Sequence, residues 1–390
     1  MMCMAVAFGA CTMMEEDRSD CPTGLYVRFV YDYNTQRADM FKDHVGHVTV
    51  YVYDESGNKV AEKSVSNTVA SMPLAQYGYT MHFTEAELPA GHRYRLQAVA
   101  MQKDWDAALA TPGAKYRRTQ PTNATSLTIT LDHEPTTAPG AATSVVSNAA
   151  PLDTLWHTLK VMSDEPTYGY TAPAMPKTTK PYSVYPVEDQ LVSVLPGYAT
   201  YATISLIRDT KHLNVTLRQL DNPANINADD YEVTIVDDNA TLAADNAVVP
   251  GDSLLYTPYA QWTTRYDDEG IHLEGDIHPA TRTTVINRTA HYNLMFNRLM
   301  YDKDSEKCAK LRIRNKKSGK TVALINLPSI LAEGRIAYEF YNYSPQEYLD
   351  REYDYELDFF LLEGADEWRY LDIHIHILSW TLRKQNVVLH

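Results

Sequence analysis

The chain has 390 residues, of which 44% are apolar and 22% charged, so it is too apolar to be disordered. At about 150 residues per domain, this length allows two to three domains, each with a sizeable core. Its 35 basic and 50 acidic residues give a net charge of −15, which argues against nucleic acid as a partner because an acidic surface repels phosphate backbones. Beyond the first dozen residues, no apolar run approaches the roughly 18 residues that a membrane-spanning helix needs.

Residues 1–10 are predicted to be a lipoprotein signal peptide. This stretch is short, apolar and rich in small residues, as secretory signals are. It ends in Phe8-Gly9-Ala10-Cys11, which resembles a bacterial lipobox, in which the Cys becomes the lipidated first residue. Phe8 stands where Leu is usual, and no basic residue precedes the apolar stretch, so the true start codon could lie upstream. The alternative is a plain apolar tail, but we predict lipid attachment at Cys11.

Residues 11–21 are predicted to form an acidic tether behind the lipidated Cys11. The cluster Glu15-Glu16-Asp17 resembles the surface-export signal of Bacteroides-type lipoproteins. Two or three acyl chains hold a protein at a membrane far more firmly than one chain does. We therefore expect a lipid-anchored protein in the cell outer membrane that faces outwards.

The four cysteines reduce to two in the exported chain, because Cys3 leaves with the signal and Cys11 carries lipid. Export permits a disulfide, so Cys21 and Cys308 could pair, although connectivity cannot be deduced from sequence alone. No Cys or His spacing typical of a zinc site is present. No cofactor is predicted.

Residues 22–186 are predicted to form an N-terminal β-sandwich domain that ends in a Pro-rich linker. Residues 25–33 and 47–54 alternate in period two, so each is predicted to be a strand with one face on the core. Further predicted strands are 94–101, 126–131 and 155–162. Residues 134–151 are rich in Pro, Thr, Ala and Ser and are predicted to be a long loop or linker.

Residues 187–390 are predicted to form a C-terminal β-sandwich domain. Its predicted strands are 200–206, 213–220, 231–236, 283–287, 292–300, 311–314, 321–325, 355–361, 371–378 and 380–389. Ser344-Pro345-Gln346-Glu347 is a capping box with Pro at the first helical position, which predicts one short helix. The pattern as a whole predicts an all-β protein with two tandem sandwiches.

No group of residues requires catalysis or a metal. Gly319-Lys320-Thr321 lacks the earlier Gly of a phosphate loop and lies in a predicted hairpin turn. Asp302–Glu306 lacks the Gly and Glu of an EF-hand loop. His374 and His376 share one strand face, a spacing that metal sites use. Because the sequence places no third ligand, we interpret both as lying on a solvated face.

Several segments carry a family resemblance: Asp20–Phe29, Ala38–Gly46, Leu152–His157 and Gln346–Arg351. They resemble the FimB-like fimbrial anchor lipoproteins of Bacteroides-type bacteria, and the resemblance covers nearly the whole chain. It implies two transthyretin-like β-sandwich domains, a lipid anchor at Cys11 and a place at the base of a pilus. The family has no catalytic residues to transfer to this chain.

The resemblance and the strand-rich composition together predict a non-catalytic fimbrial anchor subunit. An exposed edge strand is a template for an incoming strand, and pili use such strand addition. The expected partners are fimbrial stalk subunits, joined by strand addition, and the outer membrane, joined through the lipid. One alternative is a surface lipoprotein that binds glycan or host protein through Tyr-rich segments such as 168–170 and 182–185. Another is a pilus stalk or tip adhesin subunit.

The C-terminal residues 381–389 are strand-like, and only His390 follows them. A donor subunit needs a segment that it can insert into its neighbour, and a strand already paired in its own sheet cannot be donated without unfolding. The sequence therefore predicts a subunit that offers an edge or groove as acceptor and keeps its C-terminal strand.

Overall fold

The computed structural model describes residues 22–137, 142–164, 191–266, 287–337, 339–362, 368–377 and 380–386. At residues 164, 305, 368–370, 375–377 and 380–386 the backbone alone is described. Most of the described residues lie in strands or in the turns between them, as the many Tyr, Val and Thr residues predict.

The described strands, in chain order, are β1 Gly24–Val30, β2 His47–Tyr53, β3 Lys59–Ser66, β4 Thr80–Phe83, β5 Arg93–Met101, β6 Tyr116–Arg118, β7 Thr128–Leu131, β8 Glu134–Pro135, β9 Ser144–Val145, β10 Leu155–Asp164, β11 Val192–Ser193, β12 Ala199–Arg208, β13 Lys211–Gln219, β14 Tyr231–Asp237, β15 Thr241–Ala243, β16 Val248–Val249, β17 Leu254–Tyr256, β18 Ala260–Tyr266, β19 Asn287–Phe296, β20 Lys310–Asn315, β21 Thr321–Asn326, β22 Asp354–Leu361, β23 Trp368–Ile377 and β24 Trp380–Asn386.

The described helices are short: α1 Phe41–His44, α2 Trp105–Leu109, α3 Leu327–Ala332 and α4 Pro345–Arg351. Single 3-10 turns lie at Pro73–Ala75, Pro223–Asn225, Ala228–Asp230, Ser305–Lys307 and Glu333–Ile336. The capping box predicted for α4 is confirmed, since the backbone N–H of Glu347 donates to Ser344 Oγ at 3.1 Å. No helix in the described ranges is long and apolar enough to cross a membrane.

The described strands form four sheets. The first runs in the order β3-β2-β5-β10-β12-β1-β4, with β11 also paired to β5. The second is β18-β19-β13-β22-β23-β24, the third β21-β20-β14-β17-β9-β8, and the fourth β16-β15-β7-β6. Most neighbours are antiparallel, but three described pairs are parallel: β1 with β12, β13 with β22, and β9 with β17. The prediction of an all-β sandwich fold with a short helix near the C-terminus is confirmed.

One core lies against the first sheet. Leu25, Val27 and Phe29 alternate along β1 and are buried, whereas Arg28 between them is exposed. They pack with apolar side chains of β2, β5, β12 and the segment around α1. The alternation in the sequence therefore predicts the inward face of β1 correctly.

Strand β2 differs from its prediction, because all seven of its residues are buried. Val48, Val50 and Val52 face the core just described, while Tyr51 and Tyr53 belong to a second core. On that second face, Arg118 of β6 donates to the Tyr51 hydroxyl at 2.7 Å. The fourth sheet thus covers a face that the sequence predicts to be open.

The second core is larger and lies between the second and third sheets. Side chains of β13, β19, β22 and β23 from one sheet meet those of β14, β20 and β21 from the other. Leu357 and Phe359 on β22 and Ile313 on β20 are fully buried there. The packing of two sheets face to face, with alternate residues pointing inwards, is that of a β-sandwich.

The sheets do not follow the predicted domain bounds 22–186 and 187–390. Strand β12, which those bounds place in the C-terminal domain, lies between β10 and β1 in the first sheet. The stretch 134–151, predicted to be a long loop or linker, contributes β8 and β9, and β9 pairs with β17. Long-range pairing of this kind carries no local signal, so composition alone does not locate it.

Candidate functional site

The sheet edges are the surfaces on which a partner strand could add. In the part of the chain that the structure describes, the first sheet ends at β3 and β4, the second at β18 and β24, and the third at β21 and β8. An edge strand presents unpaired backbone N–H and C=O groups, and natural edges are often guarded by charged side chains. The edges can therefore be compared by the charges that they carry.

Charged side chains protect the edge strand β3 from strand addition. Lys59 pairs with Glu62 at 3.0 Å, and Lys63 pairs with Glu87 at 2.7 Å. The Lys63 ammonium also donates to the backbone oxygen of His82 at 2.7 Å. An added strand would have to displace these solvated charges, so β3 is poorly suited to strand addition.

Strand β21 carries no charged side chain. Its sequence is Thr-Val-Ala-Leu-Ile-Asn, and Leu324 at its centre is 63% exposed. Val322 and Ile325 are buried and hold the strand on the second core. The hairpin that joins β20 to β21 turns at Gly319, whose φ of 74° is the left-handed conformation that glycine adopts readily. Strand β21 is therefore an edge strand without charged side chains, and its buried residues pack on the second core.

The backbone hydrogen bonds between β20 and β21 show which residues of β21 direct their N–H and C=O groups away from β20. The N–H of Leu327 donates to Ala309 O at 2.9 Å. Antiparallel pairs alternate between hydrogen-bonded and non-hydrogen-bonded partners, so Ile325 and Ala323 face β20 through their backbone groups. The N–H and C=O of Leu324 then point away from β20. The exposed Leu324 therefore directs its backbone N–H and C=O groups towards the open side of this edge strand.

A buried polar junction connects the first and second sheets. Strand β12 continues into β13 through Asp209 and Thr210, which are both fully buried. Beside this crossing, the Arg298 guanidinium donates two hydrogen bonds to the Asp350 carboxylate of α4, each at 2.8 Å. The Lys211 ammonium donates to the backbone oxygens of Asp350 at 3.0 Å and Glu352 at 2.8 Å.

Electrostatics at this junction favour a fixed arrangement of the two sheets. Lys211 is completely buried, and burial lowers its pKa to about 8, although the Asp350 carboxylate opposes the shift. His157 of β10 pairs with Asp209 at 2.5 Å, and the Asn246 amide donates to the same carboxylate at 2.8 Å. Removing one partner of such a buried pair leaves an uncompensated charge. The sequence analysis missed this cluster because its members come from distant segments.

The structure describes only some of the predicted site residues. Cys11 and Cys21 lie outside the described residues, as do the Tyr-rich segments 168–170 and 182–185. Cys308 is buried, has no disulfide partner among the described residues, and its Sγ donates to Asp302 O at 3.3 Å. Lipid attachment at Cys11 and the pairing of Cys21 with Cys308 stay predictions.

His374 is buried, which corrects the interpretation that it lies on a solvated face. Its side chain is only 4% exposed, and Nδ1 lies 2.9 Å from Glu356 Oε2 on the neighbouring strand β22. Asp358 and Glu356 raise the pKa of His374 to about 9 because both carboxylates favour the protonated ring. The side chain of His376 is outside the described part. Sequence spacing within one strand could not show these partners, since they come from β22.

Comparison with known proteins gives the family. A family model for the fimbrillin-A associated anchor proteins Mfa1 and Mfa2 matches residues 18–386. The chain belongs to this family. The resemblance to fimbrial anchor proteins noted in the sequence is thereby confirmed, and the Mfa1 and Mfa2 family associates the chain with fimbriae at the cell surface.

Solved structures agree with the family fold. A candidate adhesin of Bacteroides thetaiotaomicron is 25% identical, with a TM-score of 0.63 over 93% of this chain and 98% of that one. A candidate polysaccharide-binding protein of the same organism is 24% identical, with a TM-score of 0.61 over 93% and 99%. The fimbrial anchor protein Mfa2 of Porphyromonas gingivalis is 15% identical, with a TM-score of 0.50 over 93% and 99%. A search of curated proteins gave no match.

Proposed function

We propose that this member of the Mfa1 and Mfa2 family is a non-catalytic anchor subunit that holds a fimbria at the outer membrane. In this proposal, a lipid on Cys11 attaches the chain to the membrane, and β21 accepts a strand from a fimbrial stalk subunit. The observation that supports strand acceptance is that the edge strand β21 has no charged side chain and exposes Leu324. Family membership supports the association with fimbriae.

Strand addition at β21 has a clear physical basis. The outward backbone groups of Leu324 would bond to the incoming strand, and its apolar side chain would lose contact with water against that strand. Burying a leucine side chain stabilises a complex by about 1.5–3 kcal/mol. The acceptor sheet would change little, because β21 is already held by β20 and the second core.

The proposal is tested by introducing a charged side chain on the exposed edge of β21. Leu324→Lys keeps the fold, because the side chain is exposed, but it places a solvated ammonium where the incoming strand would lie. We expect cells with this variant to display normal amounts of the anchor while their fimbriae are shed into the medium. Cell-bound and released fimbriae are measured by immunoblotting after low-shear washing.

Val60→Lys is the matched control. Val60 is also an exposed apolar residue on an edge strand, at 47%, and the substitution makes the same change of charge on β3. The control should retain its fimbriae. If both variants retain them, β21 is not the acceptor; if both lose them, the effect is one of charge and not of this edge.

The rival function is a surface protein that binds glycan. Trp262 on β18 favours it, since this indole is 40% exposed and stacks on the His291 ring at a centroid distance of 5.0 Å. Flat exposed aromatic rings of this kind suit contact with sugar rings. A glycan binder needs no accepted strand, so Leu324→Lys would leave its surface display and its fimbriae unchanged.

A further inference from the structure

Three aromatic side chains form a row on the outer face of the first sheet. Tyr26 of β1 lies between His82 of β4 and Tyr201 of β12, which are its cross-strand neighbours. The centroid of the Tyr26 ring is 4.2 Å from that of His82 and 5.3 Å from that of Tyr201. Leu25 and Val27 on either side of Tyr26 point into the core, so the row lies on the opposite face, where all three side chains are partly exposed.

Arg28 is the next outward-facing residue of β1, and its side chain is exposed. Its guanidinium lies over the Tyr201 ring, with Cζ 5.4 Å from the ring centroid. No carboxylate among the described residues pairs with it. A guanidinium can bind a phosphate group through two parallel hydrogen bonds. The aromatic row therefore has a cation beside it that suits an anionic partner.

Tyr198 adds an exposed ring at the end of the sheet where β1 begins. Strands β1 and β12 are parallel, with Gly24 opposite Ala199, and Tyr198 directly precedes Ala199. Tyr198 is 50% exposed. Tyrosine combines an apolar body with a polar tip and is enriched where proteins meet the membrane–water interface. We use the name β1 patch for Tyr26, Arg28, His82, Tyr198 and Tyr201.

The chain enters the fold beside the β1 patch. His82 Nε2 lies 2.8 Å from the backbone oxygen of Thr23, which is a hydrogen-bond distance. Gly24 follows with a φ of 85°, a conformation that glycine adopts readily, and a side chain there would collide with the backbone of β4. The eleven residues 11–21 precede this point, and a segment of that length spans at most roughly 40 Å. A lipid on Cys11 would therefore hold the patch close to the membrane.

We infer that the β1 patch rests on the membrane surface, with Arg28 binding lipid phosphate and the tyrosine rings at the level of the headgroups. The inference rests on the lipid at Cys11 proposed above, because a contact of this size is weak unless a tether keeps the two surfaces together. The patch would fix the orientation of the first sheet on the membrane, which the lipid alone would leave free to rotate.

The charges near the patch are compatible with this contact. Glu87, which follows β4, pairs with Lys63 at 2.7 Å, and Glu85 accepts a hydrogen bond from the Gly197 N–H at 2.9 Å. A carboxylate paired with a cation repels headgroup phosphates less than an unpaired one does. Because the whole chain has a net charge of −15, the contact depends on local attraction at Arg28 and on the tether, and not on net charge.

The test is hydroxyl-radical footprinting of the full lipidated protein in vesicles of phosphatidylethanolamine and phosphatidylglycerol. Mass spectrometry measures the oxidation of individual tyrosines, and Cys11→Ser in the same vesicle suspension is the reference. We expect Tyr198 to be oxidised several-fold less in the vesicle-bound wild type than in the reference. Tyr341, which is 56% exposed and lies between α3 and α4, is the internal control and should react equally in both proteins.

Arg28→Glu should remove the protection of Tyr198, because it replaces the cation with a charge that phosphate repels. The fold should be retained, since the side chain is exposed. Lys42→Glu is the matched control, because Lys42 is an exposed cation on α1, beyond the far end of β1. This control makes the same change of charge and should keep the protection.

Flotation of the vesicles tests the lipid separately, since the wild type should float with them and Cys11→Ser should not. If the wild type floats but its Tyr198 is oxidised as in Cys11→Ser, the patch does not contact the membrane, while the lipid anchor stands. The inference is also wrong if Tyr341 is protected as strongly as Tyr198, or if Arg28→Glu and Lys42→Glu behave alike. A wild type that does not float would overturn the lipid and the patch together.

Discussion

The folded structure disfavours the ionised form of the Asp237 carboxyl group. It ends β14 and accepts a hydrogen bond at Oδ1 from the backbone N–H of Asp238 at 3.0 Å, whereas its buried Oδ2 has no hydrogen-bond partner among the described residues. Burial raises the pKa of Asp237 to about 7. A carboxyl in this environment is held more stably as the neutral acid.

Asp237→Asn is expected to stabilise the protein at neutral pH and to have little effect in acid. Because the folded pKa is above the unfolded one, the favourable contribution of Asp237 is present below about pH 3.9 and is lost as the pH rises to about 7. The variant cannot ionise, so above that pH it should be more stable than the wild type, by up to about 4 kcal/mol because each pKa unit corresponds to about 1.4 kcal/mol. Urea unfolding midpoints across this range measure the difference.

Asp238→Asn is the control for this substitution, because Asp238 is the exposed neighbour of Asp237 on the same strand end. It should keep the wild-type form of the dependence on pH, with the transition moved slightly to lower pH because the Asp238 carboxylate is one of the groups that raise the pKa of Asp237. A constant difference between Asp237→Asn and the wild type at every pH would show that titration of Asp237 is not the cause.

Among the strands, β24 bears on how subunits join. Residues Trp380–Asn386 pair antiparallel with β23 in a continuous register from Ile377 opposite Trp380 to Leu371 opposite Asn386. Donating this strand to a neighbour would break the whole ladder. The pairing therefore supports the prediction that the chain keeps its C-terminal strand and accepts one elsewhere.

Deleting residues 385–390 separates a kept strand from a donated one. A kept strand loses the pairs of Gln385 and Asn386, so the variant should be less stable and scarce on the cell surface. Thermal unfolding and surface immunoblotting measure both effects, and deletion of His390 alone is the control. A truncated protein that is stable, correctly located and unable to hold fimbriae would mean that this strand is the donor.

For the molecule as a whole, the proposed anchoring role would require a rigid connection between the two large sheets. A subunit that attaches a filament to a membrane transmits tension from one end of the chain to the other. The chain runs from β12 of the first sheet directly into β13 of the second, and Asp209 and Thr210 between them are fully buried, so no flexible linker separates the two large sheets. This junction suits a subunit that must hold its two attachment points in a constant relation.

Lipid attachment is tested on the intact protein. The wild type should incorporate a labelled fatty acid and sediment with outer membranes, whereas Cys11→Ser should remain unlabelled and leave the membrane fraction. Cys308→Ser is the control, because that thiol is buried in the fold. Equal labelling of the wild type and Cys11→Ser would show that the lipid is not on Cys11.

Local features of this protein are determined by the sequence itself. Alternation at Leu25, Val27 and Phe29 predicts the buried face of β1, and the capping box at Ser344 predicts the start of α4. Both depend on residues that are near each other in the chain, where spacing alone determines which side chains meet. The turn at Gly319 between β20 and β21 is of the same kind.

Only the tertiary structure decided what covers each face and which distant charges meet. Alternation shows which side chains of β2 point the same way, but not that the fourth sheet buries its second face. His374 has the same spacing to His376 whether it is solvated or buried, and Arg298 meets Asp350 only because tertiary packing brings α4 next to the segment that follows β19. The physical reason is that burial and ion pairing depend on long-range packing, which short sequence patterns do not encode.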